Sequence, residues 1–198
     1  MSKSLFIGFF RLFILFISFT FVSHYSFAQD LMVQTDTVKV DFFAIGQPSF
    51  LKIHGKSEQL NGKIQIKNKK LTASFQFPLN TLNTGIKLRD KHMKKKYLET
   101  KAHPNAVFEV KSWDIPNADQ LFSTGLDATL SGTLTIRKIP QKVDVQLQLT
   151  PEGKNLKVLA KLKTKISDFN IELPSFMGIT VAEDIDLQIA FDAATKEK

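Results

Sequence analysis

Beyond the first thirty residues, the side chains best suited to chemistry are three histidines, His54, His92 and His103, and one adjacent pair, Arg89-Asp90. Two of the histidines and the pair fall in "GIKLRDKHMKKKYLETKAHP", residues 85–104, where Asp90 and His92 invite comparison with an acid–base couple. The spacing argues against it, because residues i and i+2 of a helix do not face each other. None of the histidines is spaced as H-x-x-x-H or H-E-x-x-H, and the chain has no cysteine to complete a metal-ligand set. Neither a G-x-S-x-G nucleophile turn nor a glycine-rich phosphate loop occurs. The reading from residues is therefore a protein without covalent chemistry, metal or cofactor, a hydrolase-type enzyme being the least favoured alternative. Arg89 and Asp90 are expected to be structural, one anchoring the segment to a neighbouring loop and the other pairing with it or capping a helix.

Lys91, Lys94, Lys95 and Lys96 beside Tyr97 raise a second chemistry, the tracking of a phosphate backbone. No RNA- or DNA-binding module accompanies them, so nucleic acid is not expected as a partner. A solvated face is the plainer reading. A third is attraction to anionic headgroups, on a membrane surface or on a ligand's phosphate, at about 1 kcal/mol per lysine near an anionic surface.

The elements that must carry this segment are read from period. From about Thr37 onward apolar residues recur at every second position, the pattern of strands with one buried face. Val38-Val40-Phe42, Ile64-Ile66, Leu71 to Leu79, Phe108-Val110, Leu130 to Ile136, Val143 to Leu149, Leu156 to Leu162 and Ile185 to Phe191 make about eight strands. "KNKK" at 67–70, "PNADQ" at 116–120, "IP" at 139–140 and "PEGKN" at 151–155 read as turns. Connections this short imply antiparallel neighbours. The expected fold class is all-β, a barrel or a sandwich, with residues 84–104 as a short helical insertion whose inward pair is Met93 and Tyr97 and in which Asp90 is set to pair Lys94. A transmembrane barrel is disfavoured: the polar face is rich in lysine, and an eight-stranded lumen has little room for ammonium groups with few acids to pair them.

The N-terminus reads as an export signal. Lys3 and Arg11 precede the apolar run "LFILFISFTFV", and Ser26-Phe27-Ala28 fits a small-x-small cleavage site, leaving residues 29–198 as one exported, periplasmic or secreted domain. Removing residues 1–28 takes away two basic and no acidic residues, so 25 basic and 19 acidic residues remain and the net charge falls from +8 to +6. Without cysteine, such a domain must be held by packing and hydrogen bonds.

Four segments together resemble the YceI-like, polyisoprenoid-binding family. "NTGIKLRDKHMKKKYLETKAHPNAVFEV" is similar to its central T-G…R-D-x-H-[LM]…x-P signature, with Arg89, Asp90, His92 and Pro104 at the motif positions. "SGTLTIRKIPQKVDVQLQL" is similar to its G-x-L-T-[IL]-[RK]-G strand and hairpin, with Lys138 where the family usually has glycine. "SDFNIELPSFMGITVAEDIDLQIAFDA" is similar to its closing region, with a loop after Asp168-Phe169 that is shorter and poorer in glycine. With "IHGKSEQLNGKI" the likeness runs from about residue 37 to 193. The resemblance implies a lipocalin-like, eight-stranded antiparallel barrel whose elongated apolar cavity holds an isoprenoid or another long-chain amphiphile. Residues alone leave open whether such a barrel is filled by side chains or holds one ligand, the filled case being a structural or interaction protein. By period Phe75, Phe77, Phe108, Val110, Ile136, Val145 and Leu147 point inward, as core or as ligand wall. Phe42, Phe50, Met93, Tyr97, Phe169, Phe176 and Met177 lie near loops or the insertion and are the expected pocket and rim. An anionic membrane surface and a homodimer are further partners this reading admits.

Overall fold

The computed structural model describes residues 28–47, 49–176 and 179–195, with the side chains of Phe176 and Ile179 outside that description. The expected export signal, apart from Ala28, and Met177 therefore lie outside the described residues.

Eleven strands are present among the described residues: β1 (Ala28–Val33), β2 (Lys39–Gln47), β3 (Lys52–Ser57), β4 (Asn61–Lys67), β5 (Lys70–Pro78), β6 (Asn105–Asp114), β7 (Leu126–Ile136), β8 (Ile139–Glu152), β9 (Asn155–Lys165), β10 (Ser175–Phe176) and β11 (Ile179–Thr195). Alternation produces them. In β8, Val143, Val145, Leu147 and Leu149 are buried while Lys142, Asp144, Gln146, Gln148 and Thr150 are exposed, because successive side chains of a strand leave opposite faces.

All the pairings are antiparallel, and the sheet closes on itself. The long β11 lies against β9 on one side; on the other it pairs β2 along Thr180–Ala190 and then β1 along Ala193–Thr195. β1 and β2 thus lie end to end as one stave. β3 and β4 form a second, β3 facing β2 and β4 facing β1. With these two pairs joined and the two-residue β10 set aside, eight staves complete an antiparallel barrel. At the break between β1 and β2 the Asp192 N–H donates to the Thr37 hydroxyl, 2.8 Å away, so a side chain replaces a missing ladder carbonyl. β1 has no counterpart among the strands read from period, since it is short and its apolar residues Leu31, Met32 and Val33 are adjacent rather than alternate.

Turn positions follow backbone geometry. Asn68-Lys69 and Arg137-Lys138 each take two successive positive φ angles, 51° and 64° and then 52° and 66°, as a two-residue hairpin loop requires. The second turn therefore sits just before the expected Ile139-Pro140, both of which are already in β8 opposite Ile136 and Thr135. Lys138 occupies the left-handed position that glycine would fill without strain, at a cost of about 1 kcal/mol. Arg137 offsets part of this, with its guanidinium 3.1 Å from Glu99 and donating to the Asn170 carbonyl at 3.0 Å.

The core runs through the barrel. Leu31 and Ala193 are fully buried where the closing strands meet, and Leu121 and Leu156 are 1% exposed. A turn at Ala118–Gln120 and the short helix α1 (Leu121–Thr124) cap one end, dropping Leu121 into it. At the other end, residues 79–104 leave the sheet, five residues earlier than the insertion expected at 84–104, and include a helical stretch over Lys87–Tyr97, α-helical to His92 and then wider, with π-type bonding.

Candidate functional site

Eight staves make an interior just wide enough to be filled by side chains or to hold one ligand. Here it is hollow, with a cavity of about 620 Å³ walled almost wholly by apolar side chains. The wall contains Val110, Val145, Leu147 and Ile136 at inward positions of β6, β8 and β7, together with Phe75, Phe77 and Phe108. Phe75 contacts Phe191 of β11 across a tilted ring pair with centroids 5.5 Å apart.

The rings lie where they do because glycines make room. Gly55 pairs Phe42 across β2 and β3, and Gly62 pairs Phe75 across β4 and β5. Near Gly132 of β7 lies the Phe108 ring of β6, and a Cβ built on that glycine would stand 2.3 Å from the ring. An aromatic ring covering a cross-strand glycine recovers buried area that glycine alone forgoes. Gly132→Ala is therefore expected to push the Phe108 ring toward the cavity and destabilise the fold by about 1–3 kcal/mol. A urea denaturation series compared with Ser131→Ala, on the exposed face of the same strand, checks this. Equal midpoints for the two variants would show that the ring is not held against the glycine.

The mouth is built by loops. Thr84 is the hub of the R-D segment: its hydroxyl and N–H donate to Asp90 Oδ1 at 2.6 and 2.9 Å, and its hydroxyl and carbonyl accept from Arg89 at 2.8 Å each. Arg89 and Asp90 thus fasten the start of the helical stretch to the preceding turn. The carboxylate expected to pair Lys94 is committed to Thr84 instead, since a donor pair held by its own loop is closer than a lysine one turn on. Pro104 is exposed, and its carbonyl accepts from the Leu79 N–H at 2.8 Å, closing the insertion's base. Tyr97 lines the cavity and its hydroxyl accepts from the Ser175 N–H at 3.3 Å, tying the insertion to the loop before β10. On the far side, the Ser167 hydroxyl and then Lys165 hydrogen-bond Glu183 and hold its carboxyl below the ordinary glutamate value. That clasp fixes the turn Ser167–Phe169, which delivers Phe169 to the cavity wall.

Of the residues expected at the pocket, Phe42, Phe75, Phe77, Met93, Tyr97, Phe108, Val110, Ile136, Val145, Leu147 and Phe169 all line the cavity. Phe50 does not: it sits in the β2–β3 connection, 77% exposed, because a hairpin tip projects beyond the wall. Phe176 lies in β10 by its backbone, and its side chain is outside the described residues. Arg89 and His92 line the mouth, while Asp90 does not reach it. Period reading passed over Leu82 and Ile171, which reach the cavity from irregular segments where alternation carries no signal, and Leu88, which reaches it from the helical stretch. Phe191, also in the wall, stood at an inward position of the last strand and was legible.

Few polar groups interrupt the lining. Thr84, Thr164, Lys165, Lys52 and Ser175 join Arg89 and His92 there, and among the described residues the Thr164 hydroxyl is buried without a hydrogen-bond partner. Among the same residues, no group of three or more His, Cys, Asp or Glu is arranged to hold a metal ion. No described helix is long and apolar enough to cross a membrane.

Comparison with known proteins places this geometry. The barrel is similar to a polyisoprenoid binding domain from Saccharophagus degradans implicated in plant cell wall breakdown, with 16% identity over 85% of this chain and 99% of that one, at a TM-score of 0.63. It is also similar to BcnA of Burkholderia cenocepacia, with 17% identity over 82% and 99% and a TM-score of 0.67. A third is the YCEI protein of Campylobacter jejuni, at 20% identity over 73% and 85% with a TM-score of 0.54. At these identities the likeness is one of fold. No curated protein matches by sequence. The family model of the YceI-like domain matches residues 30–193, nearly the whole described barrel. On that match the chain belongs to the YceI-like domain family.

Proposed function

We propose that the protein is an exported carrier that takes up one long-chain isoprenoid or similar amphiphile in the barrel, by burial and without covalent chemistry. The observation that carries this reading is the apolar cavity of about 620 Å³ running from the mouth into the barrel. A filled barrel would have left no such space. The volume lies within the range of about 300–1,000 Å³ usual for small-molecule sites. Each methylene moved out of water contributes about 0.8 kcal/mol, and the costs of association reduce the net to about 0.3 kcal/mol per heavy atom. A chain on the order of thirty carbons then binds with about 9 kcal/mol, a submicromolar Kd.

The unpartnered Thr164 hydroxyl and the cluster of Arg89, His92 and Lys165 at the mouth favour a ligand with one polar end, because a buried hydroxyl without a partner costs about 1–3 kcal/mol. The polyisoprenoid binding named for the Saccharophagus domain supports the same ligand class. Processing after Ala28 and residence in the periplasm are part of the proposal and rest on the sequence pattern of the first 28 residues.

Native mass spectrometry with organic extraction, on protein purified from the periplasm without detergent, tests the reading. The expected result is a stoichiometric long-chain adduct released on denaturation, on a protein whose mass equals residues 29–198. A bare protein that also takes up no prenyl lipid or fatty acid on titration would overturn it in favour of an interaction protein.

A further inference from the structure

Seven large apolar side chains are exposed among the described residues, and four of them, Phe50, Ile86, Leu88 and Leu173, stand at one end of the barrel. Ile86 and Leu88 belong to the cavity lining, and Phe50 and Leu173 adjoin the lining residues Leu51 and Pro174. They come from three loops that the backbone draws together. Asn83 is bridged to Lys56 of β3, Gly46 of β2 lies opposite Val181 of β11, and Val181 donates its N–H to the Pro174 carbonyl at 2.8 Å. An exposed apolar rim around an apolar opening marks a surface that meets something other than water.

Charge identifies what it meets. Lys87, Lys91 and Lys95 are exposed on the helical stretch beside Leu88, and among the described residues none of them has an ion-pair partner. Of the acids at this end, Asp90 is bonded to Thr84, Glu172 lies 3.6 Å from Lys96 and Glu183 3.3 Å from Lys165, while Asp168 and Asp184 stand on the Lys165 side of the mouth. Several lysines of the capped end are paired. There Lys69, Lys70 and Lys157 are matched by Asp119, Asp114 and Glu152 at 2.6, 2.6 and 2.7 Å. At the mouth, then, exposed lysines without an ion pair among the described residues are interleaved with exposed apolar side chains.

We propose that the cavity mouth is a docking face for an anionic membrane surface. Phe50, Leu88, Ile86 and Leu173 enter the boundary between headgroups and acyl chains, while Lys87, Lys91 and Lys95 sit among the headgroup phosphates, the two contributions that govern interfacial binding. The cavity opens onto the same face, so an amphiphile passes between bilayer and barrel without its chain crossing water. In that purpose the proposal rests on the carrier reading, although the rim and its charge stand independently of it.

Cosedimentation of the full protein with vesicles of equal parts phosphatidylglycerol and phosphatidylcholine, against pure phosphatidylcholine, tests the proposal. Wild type is expected to prefer the anionic vesicles. The triple variant Lys87→Glu, Lys91→Glu, Lys95→Glu is expected to lose about a hundredfold in partitioning, and Phe50→Ser with Leu88→Ser to lose about tenfold. A control triple on the outer barrel wall, Lys39→Glu, Lys63→Glu, Lys111→Glu, carries the same charge change and is expected to lose less than about threefold, since these positions stand well down their staves from the mouth. Failure of wild type to bind anionic vesicles, or equal losses for the rim and wall triples, would overturn the proposal. Extraction of the same preparations separates the two readings. A loaded protein that ignores vesicles removes the docking face and keeps the carrier; an empty protein that binds them does the opposite.

Discussion

Ala160→Trp is expected to abolish uptake of a long-chain amphiphile while leaving the barrel folded. Ala160 lies in β9 between Leu147 of β8 and Ile189 of β11, and all three side chains line the cavity. An indole added there projects into open space rather than into packed atoms, so the usual overpacking cost of about 1–3 kcal/mol is largely avoided. The interior of an eight-stranded barrel is only a few side chains across, and the ring reaches toward the opposite wall. Displacing about ten carbons of ligand chain at about 0.3 kcal/mol each removes about 3 kcal/mol, a loss of affinity of about a hundredfold or more. The check is a titration with a prenyl lipid beside circular dichroism of the same sample. Lys161→Trp, one residue on and facing outward, is the control and is expected to bind as wild type does. Unchanged uptake by Ala160→Trp would place the ligand site outside the barrel.

Phe169→Ala is expected to be the most damaging single truncation for stability, at about 3–5 kcal/mol. Its side chain is 1% exposed and packs in the main hydrophobic cluster. The turn Ser167–Phe169 that presents it is closed by the Phe169 N–H to Ile166 carbonyl bond at 3.2 Å and followed by Asn170 in the left-handed conformation at φ 52°. That backbone cannot relax far enough to fill the hole. Against a typical total of about 5–15 kcal/mol, such a loss unfolds a substantial fraction of the protein at moderate urea. The measurement is the urea midpoint at unchanged m value, with Phe50→Ala as the exposed counterpart expected to fall within about 0.5 kcal/mol of wild type. A shift below about 1 kcal/mol for Phe169→Ala would mean that the ring is ligand wall alone and carries no part of the core.

These expectations show where reading by period succeeds and where it stops. Phe75, Phe108, Val110, Val145 and Leu147 were assigned to the interior from alternation, and each lines the cavity. Met93 and Tyr97 were paired by helical spacing, and both face it from the insertion. Phe50 illustrates the limit. It is as apolar as Phe42 and close to it in the chain, yet it stands at a hairpin tip, and nothing in residue type distinguishes a wall position from a tip. Leu82 and Ile171 show the converse, reaching the cavity from loops without any period, and Leu88 reaches it from a helical stretch too short to display one. Asp90 was assigned a lysine partner by helical spacing, but the hydrogen bonds of Thr84 decide its orientation.

By itself the sequence determined most of the strands, though not the short β1 and β10, their antiparallel succession, the inward set of side chains and the helical insertion, because alternation and turn chemistry are properties of neighbouring residues. Closure of the sheet, the joining of β1 with β2 and of β3 with β4 into single staves, and the meeting of three loops at one mouth were decided only by tertiary structure. Closure depends on contacts such as Leu31 with Thr195, which no local pattern encodes. The hollow interior was decided there too. Whether a ring of eight staves is filled or open depends on the summed volume of side chains from every stave and on rings such as Phe42 and Phe108 folding over glycines of the neighbouring strands, which draws them toward the wall and leaves the barrel's centre free.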